Sequence, residues 1–251
     1  MTIYDILASL ALVGVAIGIS LYEKVQLEKD ILIGTIRTFV QLIAIGYALE
    51  IIFNLNKLYL ILLTILVMVI IGGFTATRRS KSFFNGFSLS TFSIGLGTFF
   101  TVGLLLILKI ITTDPKYMIP LAGMIVGNCM NASALALERI DSEVKSKKAQ
   151  IEAALALGAT SKQATERSFK NTVKAAMIPT LNMMKIVGIV QLPGAMTGMI
   201  LAGASPISAV TIQIIVMYML ICSVTLTAIL TTILASRKYF TLNHQLVEVG
   251  I

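Results

Sequence analysis

Long apolar runs alternate with short polar segments along almost the whole chain. A helix of about 20 apolar residues, rising about 1.5 Å per residue, crosses a hydrocarbon core about 30 Å thick. Runs of this kind lie at Ile3–Tyr22, Ile31–Phe53, Leu58–Thr75, Leu89–Ile111, Ile119–Leu137, Val173–Gly203 and Ser208–Ala235. The pattern therefore predicts an all-α fold, a polytopic membrane helix bundle of about seven transmembrane helices.

The sixth run is too long for one straight span. Val173–Gly203 would measure about 46 Å as a continuous helix. It contains Pro179 and then the pair Pro193-Gly194. We expect this segment to begin in the cytoplasm and to kink or break near the Pro-Gly pair. A break there could expose backbone carbonyls to a substrate cavity, whereas a kink would serve packing alone.

Composition agrees with a chain that is covered mostly by lipid. Hydrophobic residues make up 57% of the chain and charged residues 13%, with a mean hydropathy of +0.91. Soluble domains carry roughly 25% charged residues, so this surface is too apolar for water. We predict one transmembrane domain over residues 1–251, with a cytoplasmic loop at about residues 138–174.

Lysine and arginine lie mainly on one side of the predicted membrane. They concentrate after the first, third, fifth and seventh runs, whereas the other connections hold only Lys57, Lys109 and Lys116. Cytoplasmic loops carry the excess of these residues, which predicts the N-terminus outside and the C-terminus inside. The net charge of +8 then reflects topology and attraction to membrane lipid, and we expect no nucleic-acid partner.

The loop between the fifth and sixth runs carries a distinctive pattern. It contains Glu152-Ala153-Ala154-Leu155-Ala156-Leu157-Gly158-Ala159-Thr160 in a context rich in helix-forming residues. The glycine should end or bend the helix, and the glutamate would favour its N-terminus. Small side chains at this spacing allow close docking into a groove of a partner. An amphipathic helix lying on the membrane surface would have the same pattern.

Several polar residues fall at the depth of the bilayer, where they are costly and often functional. The candidates for a substrate path are Arg37, Gln41, Asn128, Lys185, Gln191, Pro193 and Gly194. Arg37 could line this path, pair with carbonyl groups or extend to the inner surface. The amides could also join helices by hydrogen bonds. Arg37 and Lys185 would suit an anionic substrate or a chelated metal better than a bare cation.

Sulfur-containing residues offer a second kind of candidate site. Possible soft metal ligands are Met124, Cys129, Met130, Met196 and Met199. Methionine also fills gaps in apolar cores, so ordinary packing competes with a metal path. Glycine pairs four residues apart, such as Gly123 with Gly127 and Gly194 with Gly198, predict close helix packing.

Several motifs occur in an order that carries a family resemblance. They are Arg37-Thr-Phe-Val-Gln41-Leu, Pro120-Leu-Ala-Gly123-Met-Ile-Val-Gly127-Asn128, the Ala-Leu-Gly-Ala-Thr stretch ending at Thr160, and Gln191-Leu-Pro-Gly-Ala-Met-Thr-Gly198. Together they resemble the FetB-like family of ABC transporter permeases, which includes bacterial iron-export permeases and plant aluminium-sensitivity proteins. The Glu-Ala-Ala-x-x-x-Gly match resembles the loop that couples ABC permeases to their ATPase.

The resemblance implies a function and partners. It implies ATP-driven export of iron or another metal by a homodimeric permease in a bacterial or archaeal cytoplasmic membrane. The residues implied in coupling are Glu152, Ala153, Ala154, Gly158, Ala159 and Thr160. The sequence contains no G-x-x-x-x-G-K-[ST] motif, so we expect no enzyme activity and no cofactor in this chain. ATP and Mg would bind to a separate ABC ATPase subunit.

Two other functions fit the same residues. An ABC permease for a nucleotide sugar or another anion would suit Arg37 and Lys185. A secondary transporter or channel would need no ATPase, and the loop at residues 138–174 would then be dispensable for transport.

Overall fold

The computed structural model describes residues 3–55, 57–80, 86–241 and 243–247. Nine helices account for the regular structure of these residues, and their only β pairings are two isolated bridges. The helices are α1 (Ile3–Tyr22), α2 (Glu28–Leu55), α3 (Leu58–Arg79), α4 (Gly86–Ile107), α5 (Pro115–Ser146), α6 (Lys148–Ala156), α7 (Ser161–Ile186), α8 (Gly194–Leu201) and α9 (Pro206–Arg237). The predicted all-helical fold is confirmed for this part of the chain.

Contacts divide the chain into two compact units, Met1–Lys57 and Leu58–Ile251. In the first unit α1 packs against α2, and the buried Ser20 hydroxyl of α1 donates a hydrogen bond to Glu28, the first residue of α2. In the second unit α5 is central, because it packs against α3, α4, α7 and α9. The single domain over residues 1–251 stays a prediction.

Five helices are long and apolar enough to cross a membrane: α2, α3, α4, α5 and α9. The described part of α1 supplies a shorter apolar helix, Ala8–Tyr22. The chain is therefore a multi-pass helical membrane protein, while the count of seven spans and the orientation stay predictions. α7 falls outside the set because its first half is polar, and α8 because it has 8 residues.

The sixth apolar run is broken rather than kinked. α7 ends at Ile186, and a turn follows in which Gly188 has a φ of +81° and donates its N–H to the carbonyl of Gln191 at 2.9 Å. Pro193 is the N-cap residue of α8. The break begins before the Pro-Gly pair because Gly188 adopts a left-handed conformation that few other residues tolerate. Pro179 lies inside α7 without ending it.

Two glycines fix the closest helix contacts of the second unit. A Cβ added to Gly73 of α3 would lie 2.8 Å from the Thr91 Cα, and one added to Gly97 of α4 would lie 3.0 Å from the Ser223 carbonyl oxygen of α9. Apolar helices in lipid associate mainly by close packing, which small residues permit. These glycines therefore set the spacing of α3, α4 and α9.

Gly73→Ala should destabilise the bundle by about 1–3 kcal/mol, because the added methyl group forces the backbones of α3 and α4 apart. Gly103→Ala is the matched control, since nothing lies within 4 Å of a Cβ added there. A thiol-reactive dye can follow unfolding, because Cys129 is fully buried and the chain has no tryptophan. Equal unfolding temperatures for the two variants would contradict this account of helix packing.

Candidate functional site

The strongest candidate site is the α6 turn, defined here as residues 147–160. Its C-terminal end forms a Schellman motif: the Ala159 N–H donates to the Ala154 carbonyl and the Gly158 N–H to the Leu155 carbonyl, both at 3.0 Å. Gly158 has a φ of +88°, which this motif requires and which suits glycine. The glycine therefore ends the helix and turns the chain sharply, as its position in the motif predicted.

The α6 turn has one anchored face and one exposed tip. Ile151 is only 2% exposed and packs into a core at this end of the bundle, with Leu155 at its edge. That core also contains Leu137 and Ile140 of α5, so the turn is fastened to the longest helices. Leu157 is 90% exposed at the tip. An isolated exposed leucine beside a fixed turn is well placed to enter an apolar cleft of a partner.

The predicted coupling residues occupy different positions in this turn. Glu152 and Ala153 are exposed on α6, Ala154 and Ala159 are half-buried, and Thr160 is the N-cap of α7. α6 begins at Lys148, so Glu152 lies in its second turn, and the prediction that it marks the helix N-terminus is wrong. The helix starts earlier because the chain continues from α5 with only Lys147 between the two helices.

A capping box begins α7 directly after the turn. The Thr160 hydroxyl accepts a hydrogen bond from the Gln163 N–H, and the Gln163 side chain accepts one from the Thr160 N–H at 2.9 Å. These bonds satisfy two of the donors that every helix N-terminus leaves without a partner. Both ends of residues 157–160 are thus fixed by hydrogen bonds, which gives the tip a defined shape.

Glu143 joins three elements behind the turn. Its carboxylate, on α5, accepts hydrogen bonds from Arg139 at 2.7 Å, from Lys147 next to α6 and from Asn171 of α7 at 3.3 Å. Burial raises the pKa of this carboxyl, but the hydrogen bonds and charges of Lys147, Asn171 and Arg139 outweigh it and hold the pKa below its usual range. The ionised carboxylate therefore ties α5 to the start of α6 and to α7.

Asp141 anchors the end of α9 to α5. Tyr239 donates its hydroxyl proton to Asp141 at 2.8 Å, and Lys145 pairs with the same carboxylate at 2.9 Å. Burial and the neighbouring Asp141 raise the pKa of Tyr239, which stays protonated as a donor. The α6 turn thus rests on a buried polar support that spans α5, α7 and Tyr239, two residues after the end of α9.

The candidates for a substrate path are spread over separate elements. Arg37 and Gln41 lie one turn apart on α2 in the first unit. In the second unit, Asn128 is half-buried on α5 and donates to the Met124 carbonyl of its own helix at 2.8 Å. Lys185 lies exposed in the last turn of α7. Gln191, Pro193 and Gly194 belong to the turn before α8 and to the first residue of that helix.

The sulfur candidates lie on two helices of the second unit, α5 and α8. Cys129 is fully buried beside Thr227 and Ser223 of α9. Met130 faces α3, where it lies beside Gly72. Met124 is also on α5, whereas Met196 and Met199 lie on α8, which packs against α9. Among the described residues, no three His, Cys, Asp or Glu side chains are grouped to hold a metal.

Sequence reasoning did not select several of the residues that the fold brings together. Arg79, at the end of α3, donates to the Asn131 side chain of α5 at 2.7 Å. A buried chain of hydroxyls, Thr231 to Ser133 to Ser90, joins α9, α5 and α4 at 3.2 and 3.1 Å. Partners more than 40 residues apart leave no local pattern, so only the polarity of these residues inside apolar runs could have marked them.

The long apolar helices define a multi-pass helical membrane protein. A family model for "Uncharacterised protein family (UPF0014)" matches residues 3–240. This chain belongs to that family.

The relatives are similar over nearly the full length. "Probable iron export permease protein FetB" of Escherichia coli (strain K12) is 41% identical over 239 residues, which cover 95% of this chain and 92% of that protein. "UPF0014 membrane protein STAR2" of rice is 39% identical over 239 residues, which cover 95% of this chain and 84% of that protein. "Protein ALUMINUM SENSITIVE 3" of Arabidopsis thaliana is 38% identical over 239 residues, which cover 95% of this chain and 88% of that protein. No solved structure matches the chain.

Proposed function

We propose that this chain is the membrane-spanning permease subunit of an ABC-type transporter that exports iron or another metal. ATP and Mg bind to a separate ATPase subunit, and this chain catalyses no reaction. Two copies form the permease in a bacterial or archaeal cytoplasmic membrane, with the N-terminus outside and the α6 turn in the cytoplasm. The E. coli relative, named as a probable iron export permease, supports the choice of cargo.

The α6 turn is the single observation that carries this proposal. Its tip holds Leu157 in the open, and its other face is packed into the core through Ile151. A partner that moves Leu157 would therefore move α5 and α7, because both are fastened to the turn through Glu143. This is the mechanical property that an ATP-driven permease needs, and a surface helix lying loosely on lipid would lack it.

An anionic or chelated substrate is the second candidate, and one observation favours it. The Arg79 guanidinium is exposed and held by the Asn131 amide at the end of the α3–α5 contact. A fixed arginine suits a phosphate or carboxylate group better than a bare metal cation. A chelated metal with a net negative charge would bind favourably near Arg79 and would also be consistent with iron as the exported metal.

The test is ATP hydrolysis by this chain purified in lipid with its candidate ATPase, titrated with ferrous iron, other divalent metals and a nucleotide sugar. Stimulation by a metal, lost in Gly158→Trp, is the expected result, because any side chain strains a residue at a φ of +88°. The thiol-reactive dye checks that the variant remains folded. Stimulation by the nucleotide sugar alone would mean that the substrate is an anion and not iron. Failure of this chain to associate with the ATPase would refute the ABC assignment.

A further inference from the structure

The chain beyond α9 folds back on itself and reaches the α6 turn. The Val247 N–H donates to the Tyr239 carbonyl at 2.8 Å, and the Thr241 N–H donates to the Gln245 carbonyl at 2.9 Å. Phe240 and Leu246 pair in an isolated antiparallel bridge and pack beside the core that holds Ile151. We name residues 239–241 and 243–247 the C-terminal clasp.

His244 is the clasp residue that contacts the start of α7. The Ser161 N–H donates to His244 Nδ1 at 3.3 Å, and the Ser161 hydroxyl lies 2.7 Å from the same nitrogen. The N–H can only donate, so Nδ1 must carry a lone pair rather than a proton. His244 therefore acts as a second cap on α7, from 83 residues away, beside the capping box of Thr160 and Gln163.

The clasp also faces α6 across a cavity. This cavity has a volume of about 340 Å³ and is lined by Glu152, Leu155, Asn243, His244, Gln245 and Leu246. The clasp thus touches both helices that flank the tip: α7 through Ser161, and α6 through the packing of Leu246 near Leu155.

We infer that His244 is a positioning residue for the α6 turn, and that its protonation loosens the turn and weakens coupling to the ATPase. This inference rests on the proposed function for its transport readout. Protonation at Nδ1 removes the acceptor for the Ser161 N–H and places a cation at the positive end of the α7 dipole.

The hydrogen bond from Ser161 sets the sign of this effect. Glu152 on α6 lines the same cavity, and Lys162 follows Ser161 on α7. The clasp neighbours Asn243 and Gln245 are neutral. Only the neutral ring accepts the Ser161 N–H. Coupling should therefore be strong at alkaline pH and weaken as the pH falls.

Three variants separate positioning from general structure. In His244→Asn, the amide oxygen stands near the position of Nδ1, accepts the Ser161 N–H and does not titrate. In His244→Gln the amide is one methylene further out and misses this donor. Asn243→Ala is the matched control in the same segment. At pH 7.5, His244→Gln should lower metal-stimulated ATP hydrolysis about two- to ten-fold, the equivalent of one lost hydrogen bond, while His244→Asn and Asn243→Ala keep it.

The pH profile gives the deciding result. Between pH 7.5 and pH 5.5 the wild type should lose about two- to five-fold more stimulation than His244→Asn, whose profile reports the ATPase alone. Amide hydrogen exchange at residues 157–163 of the purified chain, without ATPase, should show faster exchange in His244→Gln and, at acid pH, in the wild type relative to His244→Asn. Equal exchange in the wild type, His244→Gln and His244→Asn would refute the positioning role of His244. Altered exchange without metal-stimulated ATP hydrolysis would refute only the transporter proposal.

Discussion

Leu157→Glu should abolish metal-stimulated ATP hydrolysis while leaving the membrane bundle folded. Leu157 is 90% exposed, so a charged replacement meets water and should change the free energy of unfolding by less than about 0.5 kcal/mol. In a complex, the same side chain would enter an apolar cleft of the ATPase. Placing a carboxylate there costs about 2 kcal/mol or more, which weakens binding by about 30-fold or more. Co-purification with the ATPase and stimulated hydrolysis measure the two consequences.

Leu157→Met is the matched control, because it keeps an apolar side chain of similar volume and should retain both binding and stimulation. Leu155→Glu should behave differently from Leu157→Glu. Leu155 is half-buried beside the core of Ile151, so its replacement should lower the unfolding temperature as well as coupling. Full stimulation in Leu157→Glu would mean that the partner does not bind this tip, and the loop would revert to a surface helix.

The helical membrane fold follows from the sequence because lipid imposes one dominant rule. Each apolar run must satisfy its own backbone hydrogen bonds, so length and hydropathy alone locate α2, α3, α4, α5 and α9. The position of the break in the sixth run was harder to predict from the sequence. Pro193 is the obvious signal, but the turn is made earlier by Gly188, whose left-handed φ depends on a hydrogen bond with Gln191.

Glycine spacing shows a second limit of sequence reasoning. The pairs Gly123 with Gly127 and Gly194 with Gly198 predict close packing, yet the only described atoms within 4 Å of their added Cβ positions belong to Met68, at 3.9 Å from Gly123. The prediction of close packing at these pairs is wrong within the described chain. The closest contacts instead involve Gly73 and Gly97, which face a threonine on a neighbouring helix. Which glycine is packed depends on what the partner helix presents, and spacing along one helix does not contain that information.

The α6 turn could be located from sequence, but its support could not. Gly158 and the small residues before it form a local pattern, and the structure places a Schellman motif there. His244, a lone histidine in the polar tail, contacts Ser161 from 83 residues away. Glu143 lies in a stretch that reads as an ordinary charged loop, yet it is 4% exposed. Both roles arise from tertiary contacts between distant segments.

Glu143→Ala should clearly lower the stability of this end of the bundle. The change removes the carboxylate that accepts hydrogen bonds from Lys147 and Asn171. These two partly buried donors then lose this partner. Losing a charged hydrogen-bond partner of this kind costs about 1–3 kcal/mol. The unfolding temperature, followed with the thiol-reactive dye, should fall accordingly, and amide exchange in α6 should accelerate more than in α3.

Glu166→Ala is the matched control, because Glu166 also pairs with a lysine four residues later, at 2.6 Å, but both side chains are exposed. Water screens this pair, so its removal should change stability little.

The stability difference between the wild type and Glu143→Ala should also depend on pH. The folded pKa of Glu143 is lowered, so its contribution is present above the usual titration range near pH 4.3 and is lost as the pH falls through the folded pKa. The wild type and Glu143→Ala should therefore converge in stability at low pH, and a constant difference down to pH 3 would mean that packing of the Glu143 side chain, rather than its charge, supports the turn.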